Sequence, residues 1–148
     1  MAYDLFINLL FEDFSEQELK DLLSISKKYK YMSGDYLFRE GDISDSMYII
    51  FTGRVEISTK AEGNDKINFP TVVNGTVLGE MAFFDGKPRS ASVRAIDNIE
   101  AMVITHDALE KFENDNPKLA IKFLKEIAKI TAERLRWADL KVKELSEK

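Results

Sequence analysis

No cysteine occurs among the 148 residues. That excludes disulfides, thiolate metal sites, cysteine-ligated iron–sulfur clusters and cysteine nucleophiles. Histidine occurs once, as His106 at a turn after a β-like run, so a multi-histidine metal site is out of reach and an exposed imidazole is expected. Long apolar runs are missing as well. None approaches the roughly 18 residues that a membrane helix needs. The first residues carry Asp4 and Glu12 and no basic start, so no signal peptide is visible and a cytoplasmic location is expected. Concentrated positive charge is lacking too. Lysine and arginine number 21 against 26 acidic residues, a net charge of −5. A broad nucleic-acid face is therefore not expected, whereas one small anionic ligand needs only local positive potential. The glycines of Gly75-Thr76-Val77-Leu78-Gly79-Glu80 lack the Gly-Lys-Ser/Thr ending of a P-loop. No hydrolase or transferase constellation is present, and no enzyme, cofactor or metal is expected.

What is there is an ordinary globular balance: 45% apolar and 32% charged residues, enough for one substantial core in one domain, 1–148. Residues 1–28 read as a helical lead-in. Tyr3 to Phe11 is a short apolar helix, and Ser15-Glu16-Gln17-Glu18 is a capping-box start behind Phe14, with Leu19, Leu22, Leu23 and Ile25 on the following face. From 29 to 105 the pattern changes to short β-like runs: Lys28–Met32, Tyr36–Phe38, Met47–Phe51, Arg54–Thr59, Ile67–Val73, Ser90–Ala95 and Ala101–Thr105. Glycine-containing breaks separate them, and Lys60 to Asp65 reads as a solvated hairpin. Many short, evenly spaced strands imply an antiparallel barrel or jelly roll. The fold class is α+β, mainly β: an antiparallel jelly-roll barrel with N-terminal helices and a long C-terminal helix. The C-terminal helices fill 107–146. Asp107 caps Ala108 to Glu113, and Pro117 opens a helix reaching Leu145.

The chemistry concentrates in Val77 to Val93. Gly79 admits backbone angles closed to other residues and lets a ligand approach the main chain. Glu80 to Phe84, with Met81 and Ala82, makes one helical turn with free N–H groups. Arg89 supplies the side chain best shaped to grip a phosphate, and the small Ser90 and Ala91 let their backbone N–H groups approach the same anion. Glu80 is unfavourable beside a phosphate unless it accepts a hydrogen bond, as from a sugar hydroxyl. An arginine for phosphate and a glutamate for ribose describe a nucleotide. The plainer alternative is a surface salt bridge between Glu80 and Arg89.

Gly79-Glu80-Met81-Ala82 followed by Pro88-Arg89-Ser90-Ala91-Ser92-Val93 resembles the phosphate-binding cassette of the cyclic nucleotide-binding domain family. The resemblance extends to Gly34-x-x-Leu-Phe-x-x-Gly41-Asp and Met47-Tyr-Ile-Ile-Phe-x-x-Gly53-x-Val-x-Ile, and covers about residues 15 to 142. It implies cyclic AMP or cyclic GMP as ligand, with Arg89 on the cyclic phosphate and Glu80 on the ribose 2′-hydroxyl. It also implies a base held by Ile57, Val72, Arg134, Ala138 and Asp139. The family's cyclic AMP activators carry Thr-Ser where this chain has Ala138-Asp139. Asp139 can accept from an adenine amino group or from the paired N–H donors of guanine, so both bases stay open.

The last helix carries two stripes. Ile121, Leu124, Ala128, Thr131, Leu135, Ala138, Val142 and Leu145 follow the three- and four-residue steps of a coiled-coil seam, which predicts a homodimer. Leu119, Phe123, Ile127, Ile130, Arg134 and Trp137 form a neighbouring stripe for the β core. The expected function is a regulatory sensor whose C-terminal helix transmits binding. Two alternatives stand beside it: a scaffold module of this fold that no longer responds to nucleotide, and the sensor half of a DNA-binding regulator whose helix-turn-helix would follow Lys148.

Overall fold

The computed structural model describes residues 12–60, 66–68 and 76–147, with side chains at all of these except 66–68. The predicted helix Tyr3–Phe11, the hairpin residues 61–65 and Val72 lie outside the described residues.

Helix α1, Glu16–Leu23, begins where the sequence places it. Ser15 Oγ accepts from the Glu18 N–H at 3.1 Å, and the Ser15 N–H donates to Glu18 Oε1 at 2.9 Å, so two free helix-end donors are satisfied reciprocally. Eight strands follow: β1 Lys27–Tyr31, β2 Tyr36–Phe38, β3 Ser46–Thr52, β4 Val55–Lys60, β5 Lys66–Asn68, β6 Val77–Leu78, β7 Ser92–Ala95 and β8 Ile99–Thr105. They form two antiparallel four-stranded sheets, ordered β1-β8-β3-β6 and β2-β7-β4-β5. The jelly roll is thus two facing sheets, not a closed barrel.

Strand β3 shows why the layers stack as they do. Its residues Ser46 to Ile50 are all buried, the reading of a strand covered on both faces. Met47 and Ile49 join Val77, Ile104, Leu119, Phe123, Ile127 and Ile130 in a core beneath the helices. Tyr48 and Ile50 point the other way, into a second core with Leu37, Phe38, Val55, Leu78, Val93 and Ile99 between the sheets. Each such aliphatic or aromatic side chain contributes about 1.5–3 kcal/mol by leaving water.

Helix α2, Glu80–Asp85, interrupts the strands. Helix α3 runs His106–Asp115, two residues earlier than expected at its start. Thr105, not Asp107, is its cap, accepting from the Ala108 N–H at 3.2 Å. Helix α4, Pro117–Ser146, is 30 residues, about 45 Å long, with Pro117 at its first turn and Asn116 as cap. Its buried residues end at Ile130. The outer stripe departs from the simple seam. Leu124 packs on the helix-side core, and Thr131, Leu135 and Ala138 line a cavity. Residues 121, 128, 135 and 142, seven apart, are exposed.

Candidate functional site

A cavity of about 610 Å³ opens where α2, the start of β7 with the loop before it, and the second half of α4 converge. Its size falls within the usual range for small-molecule pockets. Two arginines close its inner end.

Arg89 enters from the loop before β7. Its backbone is pinned on both sides: Arg89 N–H donates to Asp42 O and Gly41 N–H donates to Arg89 O, each at 2.8 Å. The side chain is 2% exposed. Nη1 donates to Gly79 O at 2.9 Å and Nη2 to Ser46 Oγ at 3.2 Å, while Cζ lies 4.3 Å above the Phe38 ring. Its hydrogen-bond acceptors are neutral, and Nε is buried without a partner among the described residues. Burial pushes the guanidinium's pKa below its ordinary value, against the opposing pull of Tyr48, Asp42, Asp45 and Glu80. A buried cation bonded only to neutral acceptors is poised for an anion.

Gly79 makes this approach possible. It caps α2 at φ 76°, and a Cβ there would lie 2.5 Å from Arg89 Nη1 and 3.3 Å from Phe38. A side chain at this position would occupy the space of the guanidinium itself.

Glu80 follows, buried at 7% exposure. It does not pair with Arg89. Arg134, reaching in from α4, donates from Nη1 to Glu80 Oε1 at 2.8 Å. Its Nη2 donates to Thr76 Oγ1 and to Val77 O, both at 2.6 Å. One guanidinium thus ties the last helix to β6 and to the first residue of α2. Only Oε1 of Glu80 is engaged by Arg134, so the carboxylate retains acceptor capacity.

The predicted residues gather closely. Gly79, Glu80, Met81, Ala82, Arg89, Ser90, Ala91, Ile57, Arg134 and Ala138 all line the cavity. Ser90 Oγ donates to Met81 Sδ at 3.8 Å across its mouth. Asp139 is exposed and is not among the lining residues. Val72 is outside the described residues. The wall also holds Trp137, and with it Phe38, Leu78, Val93, Thr131 and Leu135, five that residue types alone did not single out as site residues. The helical period does foreshadow part of it: 131, 134, 135 and 138 are three or four apart and share one face. Among the described residues, one cluster has metal-ligating types within reach, His106, Asp107 and Glu110, with ligand atoms within 4.8 Å of one another. All three are exposed, and none lines the cavity.

A desolvated guanidinium beside a buried, half-engaged carboxylate, at the closed end of an apolar cavity, has the chemistry to take a small anion that also carries a hydroxyl. Known proteins agree with that class. The family model for the cyclic nucleotide-binding domain matches residues 28–116, and the chain belongs to this family. It is 31% identical over 97 residues to the CRP-like cAMP-activated global transcriptional regulator of Mycobacterium tuberculosis, covering 65% of this chain and 43% of the regulator. The structure resembles a cyclic nucleotide-binding domain from Methylobacillus flagellatus, with 30% identity and TM-score 0.85, covering 97% of this chain and 82% of that one. It also resembles the Thermus thermophilus catabolite activator protein, with 27% identity and TM-score 0.82, covering 94% of this chain and 63% of that one. The chain spans about half the length of the curated relatives it matches, 43% and 48% for two of them. No helix among the described residues is long and apolar enough to cross a membrane.

Proposed function

We propose that this chain is a non-enzymatic sensor domain that takes up a cyclic nucleotide, cyclic AMP or cyclic GMP, and reports it through α4. The observation that carries the reading is Arg89, a buried guanidinium facing the cavity with only neutral hydrogen-bond acceptors. A cyclic phosphate brings one negative charge to that cation. The free lone pairs of Glu80 accept the ribose 2′-hydroxyl. The base lies outward against Ile57, Leu135, Trp137 and Ala138, the apolar part of the wall. The relatives' names favour cyclic AMP.

The signal has a defined route. Arg134 holds Glu80 from α4, so a ligand that bonds Glu80 changes the partner that anchors the helix. Ligand shifts the helix only if it binds the two helix positions with different affinity. Ile121, Ala128, Leu135 and Val142, exposed at seven-residue spacing, support a homodimer through α4. That would set a partner helix across the cavity mouth, where Leu135 sits. The name of one relative, a global transcriptional regulator, supports a further reading as the sensor half of a transcription regulator.

The test is Arg89→Ala. Loss of a buried charge-assisted contact costs about 2–5 kcal/mol, so affinity for a cyclic nucleotide falls roughly 30- to several-thousand-fold. Undiminished binding by a folded Arg89→Ala protein refutes the assignment.

A further inference from the structure

A second concavity lies on the reverse side of α2. Phe83 and Phe84 of α2, His106, Leu109, Glu110 and Glu113 of α3, and Leu124 of α4 bound about 450 Å³. Its floor is apolar and aromatic. Phe83 is buried, meets the Phe84 ring edge-on at 5.0 Å, and lies 5.5 Å from the His106 ring. Phe84 is 51% exposed, a large apolar ring presented at the lip. The rim is acidic. Glu110 and Glu113 are three apart on α3, with Asp107 one step earlier on the same face, and all three are exposed. Neither glutamate carboxylate has a lysine or arginine bridge among the described residues; Glu110 faces His106 Nδ1 at 3.9 Å.

We propose that this concavity is a docking site for a peptide segment of a partner protein, one that sets a leucine or phenylalanine side chain between lysines or arginines. Charge complementarity selects that occupant. An apolar side chain on the aromatic floor brings the rim of the partner close to Glu110 and Glu113. A neutral or acidic partner would strip water from those carboxylates and give nothing in return. A cationic one pairs with them at the polar edge. Exposed pairs of this kind add little affinity, so the anchor against Phe83 and Phe84 carries the binding and the charges carry selectivity.

The location gives the site a consequence. Helix α2 sends Glu80, Met81 and Ala82 to the first cavity and Phe83 and Phe84 to the second. The two cavities share one six-residue helix, so an occupant that shifts this helix changes affinity at the other cavity, and the effect is reciprocal. This linkage rests on the nucleotide reading of the first cavity; the docking itself does not.

The probe is a fluorescein-labelled peptide, Lys-Lys-Leu-Phe-Lys-Lys, titrated with the full chain by fluorescence anisotropy, with amide shifts followed by NMR. Saturable binding is expected, with shifts at Phe83, Phe84 and His106. Phe84→Ser should weaken it about tenfold and the double variant Glu110→Gln/Glu113→Gln about threefold, neither changing the melting temperature. The same peptide with glutamate for lysine should not bind. No binding at about 1 mM peptide overturns the proposal, as do equal binding of the glutamate peptide and full affinity in both variants. Peptide binding abolished by Arg89→Ala would place the peptide in the first cavity and overturn it too. Repeating the titration with saturating cyclic AMP should change peptide affinity by about threefold or more. An unchanged affinity, when calorimetry shows that cyclic AMP binds, refutes the linkage. Peptide binding in a protein that ignores every nucleotide leaves the docking site standing and refutes the reading of the first cavity.

Discussion

Replacing Arg134 by methionine keeps most of the side chain's length and removes its charge and all its donors. Three contacts disappear: to Glu80 Oε1 at 2.8 Å, and to Thr76 Oγ1 and Val77 O at 2.6 Å each. The larger consequence falls on what remains. The Glu80 side chain is 9% exposed, and its ion-pair partner is gone. A buried ion pair broken on one side costs about 3–5 kcal/mol, because the surviving charge stays desolvated. That is a large part of the 5–15 kcal/mol expected for a domain. Glu80→Gln is milder, since an amide oxygen still accepts from the guanidinium; about 1–3 kcal/mol is expected. The double variant leaves neither charge behind, so its cost should fall short of the sum by about 2 kcal/mol. Urea unfolding followed by circular dichroism at pH 7 measures all three. If Arg134→Met costs under about 1 kcal/mol, and the two changes add to within about 0.5 kcal/mol, the bridge does not hold α4 to the cassette and the reasoning fails.

Gly79→Ala forces an L residue into a left-handed conformation at about 1–2 kcal/mol and drives its Cβ into Arg89. It should lower stability by that amount and weaken cyclic nucleotide binding about tenfold or more, measured by melting and by titration. Tyr31 sets an alkaline limit. Burial first, then its hydrogen bond with Tyr48, raises its pKa far above the ordinary phenol value near 10. A raised folded-state pKa contributes stability below pH ~10 that is lost as pH rises further, so denaturation midpoints should fall from there upward in wild type and less in Tyr31→Phe. Sedimentation of the 17.0 kDa chain should show a dimer that Val142→Glu converts to monomer; a monomeric wild type contradicts the seam.

The cassette was legible because it is local. Gly79, Glu80, Arg89 and Ala91 lie within thirteen residues, and each residue type carries its own chemistry. The capping box at Ser15 and the Asn116-Pro117 start of α4 were legible for the same reason. The partner of Glu80 was not, because it stands 54 residues away on α4. A period of 3.5 says which side chains share a face, not what that face meets, so Thr131 and Leu135 read as seam and turned out to line the cavity. Thr105 and Asp107 are both cap-forming types two residues apart, and only backbone geometry separates them. Val77–Leu78 pairs as a strand too short to show any alternation.

Whether Arg89 and Glu80 hold a cyclic nucleotide is decided by isothermal titration calorimetry on nucleotide-stripped protein. Cyclic AMP, cyclic GMP and 5′-AMP are titrated in turn. A single buried guanidinium matches the one charge of a cyclic phosphate, whereas a 5′-phosphate brings close to two at neutral pH. Saturable binding of at least one cyclic nucleotide is expected, one per chain, with 5′-AMP excluded. Silence from all three, or 5′-AMP binding as tightly as the cyclic forms, contradicts it.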